Sequence, residues 1–259
     1  FWGQELAWGY YSKPPLIGWI LRLSTAIGGN GEFWIRLPLP LIHAGTAVLV
    51  ALIGRRLGDA RLGALAGTGF VTVPGVALGS LLVSTDTPML FAFALAMLAQ
   101  IHLAERRSLG WALTLGAAVG VGLLAKYAMA FFPLCAGLAA LMLPRARIGW
   151  RDAGVAALVA FAVVAPNIWW NIANGLTTLR HTAENASLGA EASGLQFDES
   201  LKFWGGQFAV SGPILFAAYL AGLAGARRDG TRAYLALMSA PIFLALSAQA
   251  VRAEVNANW

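Results

Sequence analysis

The chain has 259 residues, 58% of them hydrophobic and 12% charged, where a soluble domain has about 25% charged. With a mean hydropathy of +0.68, this balance excludes an ordinary soluble domain and predicts an all-α, polytopic membrane protein. The net charge of +6 comes from scattered arginines and not a clustered basic stripe, which argues against nucleic-acid binding.

The first element lies in the stretch Gly9-Tyr10-Tyr11-Ser12-Lys13-Pro14-Pro15-Leu16-Ile17-Gly18-Trp19. Leu16, Ile17, Trp19, Ile20, Leu23 and Ile27 follow helical spacing, but the run is too short and too amphipathic to span. It predicts a helix lying in the membrane interface, with Pro14 and Pro15 in its first turn. Lys13 then stands beside a helix N-terminus, where an anion is favoured and a lysine suits phosphate. The competing reading is a lysine that snorkels among lipid headgroups.

A helix needs about 20 apolar residues to cross the hydrocarbon. By that measure the chain carries about eight candidate spans, over 37–54, 62–82, 86–104, 110–125, 128–143, 152–170, 206–224 and 232–250. Pro74 is expected to kink the second, and the fourth and fifth are short. Arg55, Arg56, Arg61, Arg106, Arg107, Arg145, Arg147, Arg151, Arg227, Arg228 and Arg232 all fall on one side of this arrangement, with only Asp59, Glu105, Asp152 and Asp229 to offset them. The positive-inside rule makes that side cytoplasmic. The opposite side holds the two long stretches, 1–36 and a loop over 171–205, and the chemistry is expected there. No linker or repeat divides the chain, so 1–259 reads as a single domain. It begins without Met at Phe1-Trp2 and ends at Asn258-Trp259, which reads as a fragment with chain on both sides.

Three places on the outer side carry ionisable or amphipathic groups. Asp86, in Ser84-Thr85-Asp86-Thr87-Pro88, is either a helix-start carboxylate or one that orients a substrate hydroxyl or helps a general base. Lys126-Tyr127 interrupts the apolar stretch from Gly110 to Leu143; an ionisable group at such a depth is functional or drawn to the interface. Asn167, Trp169, Trp170 and Asn171 close the sixth span, where tryptophans serve as interface anchors or stack on a sugar. The loop beyond them has Arg180, His181, Glu184, Glu191, Asp198, Glu199 and Lys202, and Asn185-Ala186-Ser187 matches a weak glycosylation motif. Gly63/Gly67 and Gly116/Gly120 are small-residue spacings that read as helix packing. Cys135 is the only cysteine, so a disulfide within the chain and a cysteine metal cluster are excluded. His43, His102 and His181 lie far apart and give a histidine metal site little support.

Together FWGQELAWGYYSKPPLIGW, STDTPML, LLAKYAMAF and APNIWWN resemble the polyprenyl- or dolichyl-phosphate-sugar-dependent glycosyltransferases. These are GT-C membrane enzymes that include protein mannosyltransferases and the bacterial lipid A aminoarabinose transferase. The resemblance covers nearly the whole chain. It implies transfer of a sugar from a polyprenyl-phosphate donor to a glycan, lipid or protein acceptor at the outer face of a bacterial inner membrane. Lys13 and Lys126 would bind the donor phosphate, with Lys202, Arg180 or His181 completing that site. Tyr11, Tyr127, His181 and Trp170 would line the substrate, and Asp86 would be the catalytic-site acid within this chain. The family's presumed base, in an Asp-Glu pair, would precede Phe1; Glu5 falls in a different segment. The resemblance implies no cofactor beyond the lipid-linked sugar substrate and leaves metal dependence open. A multi-spanning transporter or lipid flippase is the alternative, and it predicts mid-span charges and broken helices.

Overall fold

The computed structural model describes residues 3–185, 197–226 and 229–252. Every regular element among them is helical: α1 (Leu16–Gly28), α2 (Glu32–Arg36), α3 (Pro38–Leu57), α4 (Ala60–Thr72), α5 (Pro74–Gly79), α6 (Asp86–Glu105) and α7 (Leu109–Ala125). A 3-10 turn (Tyr127–Ala130) leads into α8 (Phe131–Met142), followed by α9 (Trp150–Ala173), α10 (Thr177–Asn185), α11 (Phe197–Ser211), α12 (Pro213–Ala224) and α13 (Gly230–Ala250). Phe1, Trp2, Ala186, Ser187, Glu191, Arg227, Arg228, Asn258 and Trp259, which figure in the sequence reading, lie outside the described residues.

Among the described residues four helical stretches are long and apolar enough to cross a membrane: Glu32–Leu57, Asp86–Glu105, Trp150–Ala173 and Gly230–Ala250. Leu109–Ala125 and Tyr127–Met142 are shorter apolar pieces, matching the two short predicted spans. The second predicted span is fully broken rather than kinked. Proline has no N–H to continue a helix and forces the preceding residue out of αR; α4 accordingly ends at Thr72, Val73 is extended at ψ 122°, and α5 restarts at Pro74. The seventh is broken too. Gly212 takes φ +77° and ψ 154°, Pro213 opens α12, and α11 and α12 meet at 109°. The helix α11 also begins earlier than predicted, at Phe197.

A helix forms over the predicted amphipathic stretch, with one local difference: Pro15 caps α1 and Leu16 is its first residue, so neither proline is in the first turn. Its protein side is made of Ile17, Gly18 and Ser24, while Leu23 and Ile27 are exposed. This apolar edge suits a helix lying against lipid.

In the bundle, α6 lies between α3 and α7, and α7 also packs on α9. Small residues set these distances. A Cβ at Gly116 would lie 2.4 Å from the Ala156 carbonyl oxygen, and one at Gly120 would lie 2.7 Å from Val163 Cβ. On the other side, a Cβ at Gly63 would lie 2.6 Å from the Ala51 carbonyl oxygen. Both glycine pairs are therefore helix-packing surfaces. Gly116→Val should lower stability by about 1–3 kcal/mol through overpacking. Gly154, with open space around the same construction, should instead accept alanine with a gain of up to about 1 kcal/mol in helix propensity. Thermal melting of the two variants in detergent checks both signs.

Helix starts on the arginine-rich side are capped by local side chains. Asp59 Oδ1 accepts from the Leu62 N–H at 2.7 Å and Asp229 Oδ1 from the Thr231 N–H at 2.9 Å. Arg56 Nε donates to Glu105 Oε1 at 3.1 Å, joining the ends of α3 and α6.

Candidate active site at the Lys126 end of the bundle

Antiparallel packing of α6 and α7 brings the first turn of one beside the last turn of the other. Lys126 closes α7 in an extended conformation (φ −155°, ψ 134°), so the helix stops there and restarts as the 3-10 turn. Gly122 makes room for that fold-back: a Cβ on it would lie 2.6 Å from Met129 Cγ, and Met129 is fully buried. Lys126 Nζ donates to Asp86 Oδ1 at 2.7 Å. The cation sits at a helix C-terminus and the carboxylate at a helix N-terminus, so each helix dipole favours its own member of the pair. The Lys126 side chain is 17% exposed and that of Asp86 37%, which leaves the pair reachable from outside.

Asp86 is held on its other side as well. Ser84 Oγ donates to Asp86 Oδ2 at 2.7 Å. The cap residue of α6 is Thr85, which makes no side-chain cap bond, so Asp86 spends its oxygens on Lys126 and Ser84 and not on capping. Arg36 Nη1 donates to the Leu81 carbonyl at 2.6 Å and pins the loop leading into this turn. Next to Asp86, Thr87 Oγ1 lies 3.1 Å from His43 Nε2, and both residues are buried. Sequence reasoning did not connect Ser84, Arg36 or His43 to the site; only Ser84's position two residues before Asp86 carried a local signal.

The loop before α1 is sewn onto the C-terminal end of α9. Asn167 Nδ2 donates to the Trp8 carbonyl at 2.5 Å, and Thr178 Oγ1 to the Tyr10 carbonyl at 2.5 Å. The Trp170 ring lies flush on Gly9, where a Cβ would come within 2.3 Å of Trp170 Cε3. Trp19 Nε1 donates to the Ala7 carbonyl at 3.0 Å. Tyr127 joins the same knot: its hydroxyl donates to Asn167 Oδ1 at 2.9 Å and accepts from Asn171 Nδ2 at 3.0 Å. Tyr11 stacks at a tilt on His181, ring centres 5.0 Å apart. Burial pushes the Tyr10 phenol above its ordinary pKa; a backbone hydrogen bond at Ala7 opposes this and the Glu5 charge adds to it.

Four of the predicted residues, Tyr11, Tyr127, Trp170 and His181, thus meet around this loop, and Trp170 and Tyr127 serve to fix it. Lys13 sits in the same loop, half-buried, its carbonyl accepting the Tyr10 N–H at 3.1 Å. Its ammonium makes no ion pair or hydrogen bond among the described residues. Arg180 is exposed on α10. Lys202 pairs with Glu199 at 2.6 Å, its side chain 71% exposed, on α11, which packs against α5, α12 and α13. Among the described residues no group of three or more His, Cys, Asp or Glu is placed to hold a metal ion.

This arrangement can be compared with known proteins. The chain is 40% identical to the lipid A galacturonosyltransferase RgtD of Rhizobium johnstonii, over 100% of this chain and 55% of that protein. It is 28% identical to the lipopolysaccharide core galacturonosyltransferase RgtA of the same organism, over 75% of this chain and 40% of that one. The chain therefore spans about half the length, or less, of the curated relatives it matches. In fold it is similar to the crystal structure of ArnT from Cupriavidus metallidurans in the apo state, with a TM-score of 0.71 at 18% identity, over 96% of this chain and 47% of that one. The family model for dolichyl-phosphate-mannose-protein mannosyltransferase matches residues 12–170, a segment that runs from the Lys13 loop through Asp86 and Lys126 to Trp170. The chain belongs to that family of GT-C membrane proteins.

Proposed function

We propose that the full-length protein is a membrane glycosyltransferase that moves a galacturonosyl-type sugar from a polyprenyl-phosphate donor to a lipid A-type acceptor. The site would face the periplasm at the bacterial inner membrane. The observation that carries this reading is the Lys126–Asp86 pair at 2.7 Å, reachable from outside, on the same end of the bundle as the Lys13 loop. The 40% identity to a lipid A galacturonosyltransferase supports the sugar and the acceptor.

In the reaction, the bond between the anomeric carbon and the phosphate oxygen breaks and a bond from the acceptor oxygen to that carbon forms. The acceptor's proton passes to a carboxylate of the full-length protein. The leaving lipid phosphate gains negative charge, and preorganised cations at that oxygen lower the barrier. Lys126 and Lys13 are those cations. Asp86, bound to Lys126, holds its ammonium in place. The alternative of a transporter draws on the 109° bend between α11 and α12. Against it, the described Asp, Glu, Lys and Arg residues of the four spanning helices lie near helix ends.

The test is a transfer assay on purified full-length protein with radiolabelled polyprenyl-phosphate galacturonic acid and lipid A. Label is expected in the lipid A fraction. Lys13→Gln should reduce the rate by roughly 10–100-fold, the worth of one charge-assisted hydrogen bond of about 1.5–3 kcal/mol. Unchanged transfer in Lys13→Gln removes that lysine from the donor site. Absence of transfer from this and every other polyprenyl-phosphate sugar, in folded protein, overturns the enzyme reading.

A further inference from the structure

At the opposite end of the bundle two cavities adjoin. One, of about 200 Å³, lies between the ends of α3 and α6, the Pro144–Ala146 turn and the start of α13; Arg56, Glu105, Arg145, Thr231 and Tyr234 line it. The other, of about 430 Å³, is an apolar trough between α8 and α9, lined by Phe132, Ala136 and Ala140 on one wall and Ala153, Ala157 and Ala160 on the other. Gln100 and Ala146 line both, so a polar chamber opens beside an apolar one. Arg147 stands in the wall of the trough, its Nε tied to the Ala140 carbonyl at 2.9 Å.

The polar chamber carries positive charge without full compensation. Arg56 is balanced by Glu105. Arg145 has no ion pair or hydrogen bond among the described residues. Its guanidinium lies across the first residue of α13: a Cβ at Gly230 would come within 2.6 Å of Arg145 Cζ. Asp229 caps this helix start through the Thr231 N–H and pairs with Arg232, which leaves Arg145 itself without an anionic partner among the described residues. Gln100 is only 3% exposed. Its carboxamide oxygen accepts from the Tyr234 hydroxyl at 3.1 Å, and its amide N–H groups donate to nothing else among the described residues. Gln100 lines both cavities, so its amide can donate to an occupant there.

The occupant must therefore be anionic at one end and apolar at the other, and must sit at the membrane face rich in arginine. We infer that this is a site for an anionic phospholipid of the inner leaflet, with its phosphate at Arg145 and Gln100 and an acyl chain in the Ala-lined trough. Basic pockets between helices on the cytoplasmic side are suited to anionic headgroups, and a trough of this volume falls in the range of ligand cavities. The inference rests on the orientation proposed above, but its test needs no transfer activity.

The experiment is native mass spectrometry of the purified full-length protein after exchange into phosphatidylglycerol or phosphatidylcholine mixed micelles. Phosphatidylglycerol should be retained in preference by about tenfold or more. Arg145→Gln combined with Arg147→Gln should remove that preference, whereas Arg55→Gln combined with Arg61→Gln, arginines on the same side but outside both cavities, should leave it. Ala157→Phe, which fills the trough and changes no charge, should also abolish retention. Equal retention of both lipids by the unaltered protein, an equal loss in the Arg55/Arg61 variant, or full retention in Ala157→Phe would overturn the site.

Discussion

Lys126→Ala in the full-length protein should lower sugar transfer by about 10²–10³-fold, the usual cost of removing one preorganised stabiliser of transition-state charge. The loss should appear mainly in kcat, because the phosphate's charge grows as the bond to the sugar breaks. Asp86→Asn should act through the same cation. It removes the carboxylate that holds Nζ at 2.7 Å while keeping the side chain's size, so the ammonium loses its position but not its charge. Its effect should be smaller than that of Lys126→Ala, and the double variant Asp86→Asn with Lys126→Ala should be no worse than Lys126→Ala alone. Additive losses would mean that Asp86 has a separate role on the acceptor. Steady-state rates with a saturating lipid-linked donor, in protein of unchanged melting temperature, decide between these.

Much of that pair could be read from sequence. Lys126 interrupts an apolar stretch, Asp86 opens one, and the arginine bias puts both on the same side of the membrane. What remained hidden was the bond between them. They are 40 residues apart, and their meeting depends on the register of α6 against α7 and on the chain leaving helical geometry at Lys126. The roof over Tyr127 was less legible still. Asn167 and Asn171 are spaced i, i+4 on a spanning helix, so their side chains share a face and must find partners if buried. Those partners, the Trp8 carbonyl and the Tyr127 hydroxyl, come from distant segments that sequence spacing does not connect. The bend at Gly212 had its signal in Ser211-Gly212-Pro213, but averaged hydropathy runs through such a break without registering it.

The largest structural effect should come from Asn167→Leu. Asn167 is 1% exposed, donates to Trp8 and accepts from Tyr127. Leucine has the same branched four-heavy-atom skeleton, though its methyls are bulkier, and is at home on a spanning helix, so the helix itself should tolerate it. Two partly buried partners, the Trp8 carbonyl and the Tyr127 hydroxyl, then lose their bond to it, each at the lower end of about 1–3 kcal/mol. Asn174→Ala, which removes only an exposed bond to the Trp170 carbonyl, should cost a few tenths of a kcal/mol. The damage from Asn167→Leu is expected to be local. The glycine-mediated contacts of α7 with α9 are untouched, so helical content should hold, while amide exchange over residues 5–13 should rise well above that of α6 and α7. Because Lys13 belongs to that loop, donor binding should weaken along with it, raising KM in the variant more than Lys126→Ala does. Faster exchange across α7 and α9 as well would mean that Asn167 supports the bundle as a whole and not the loop that carries Lys13.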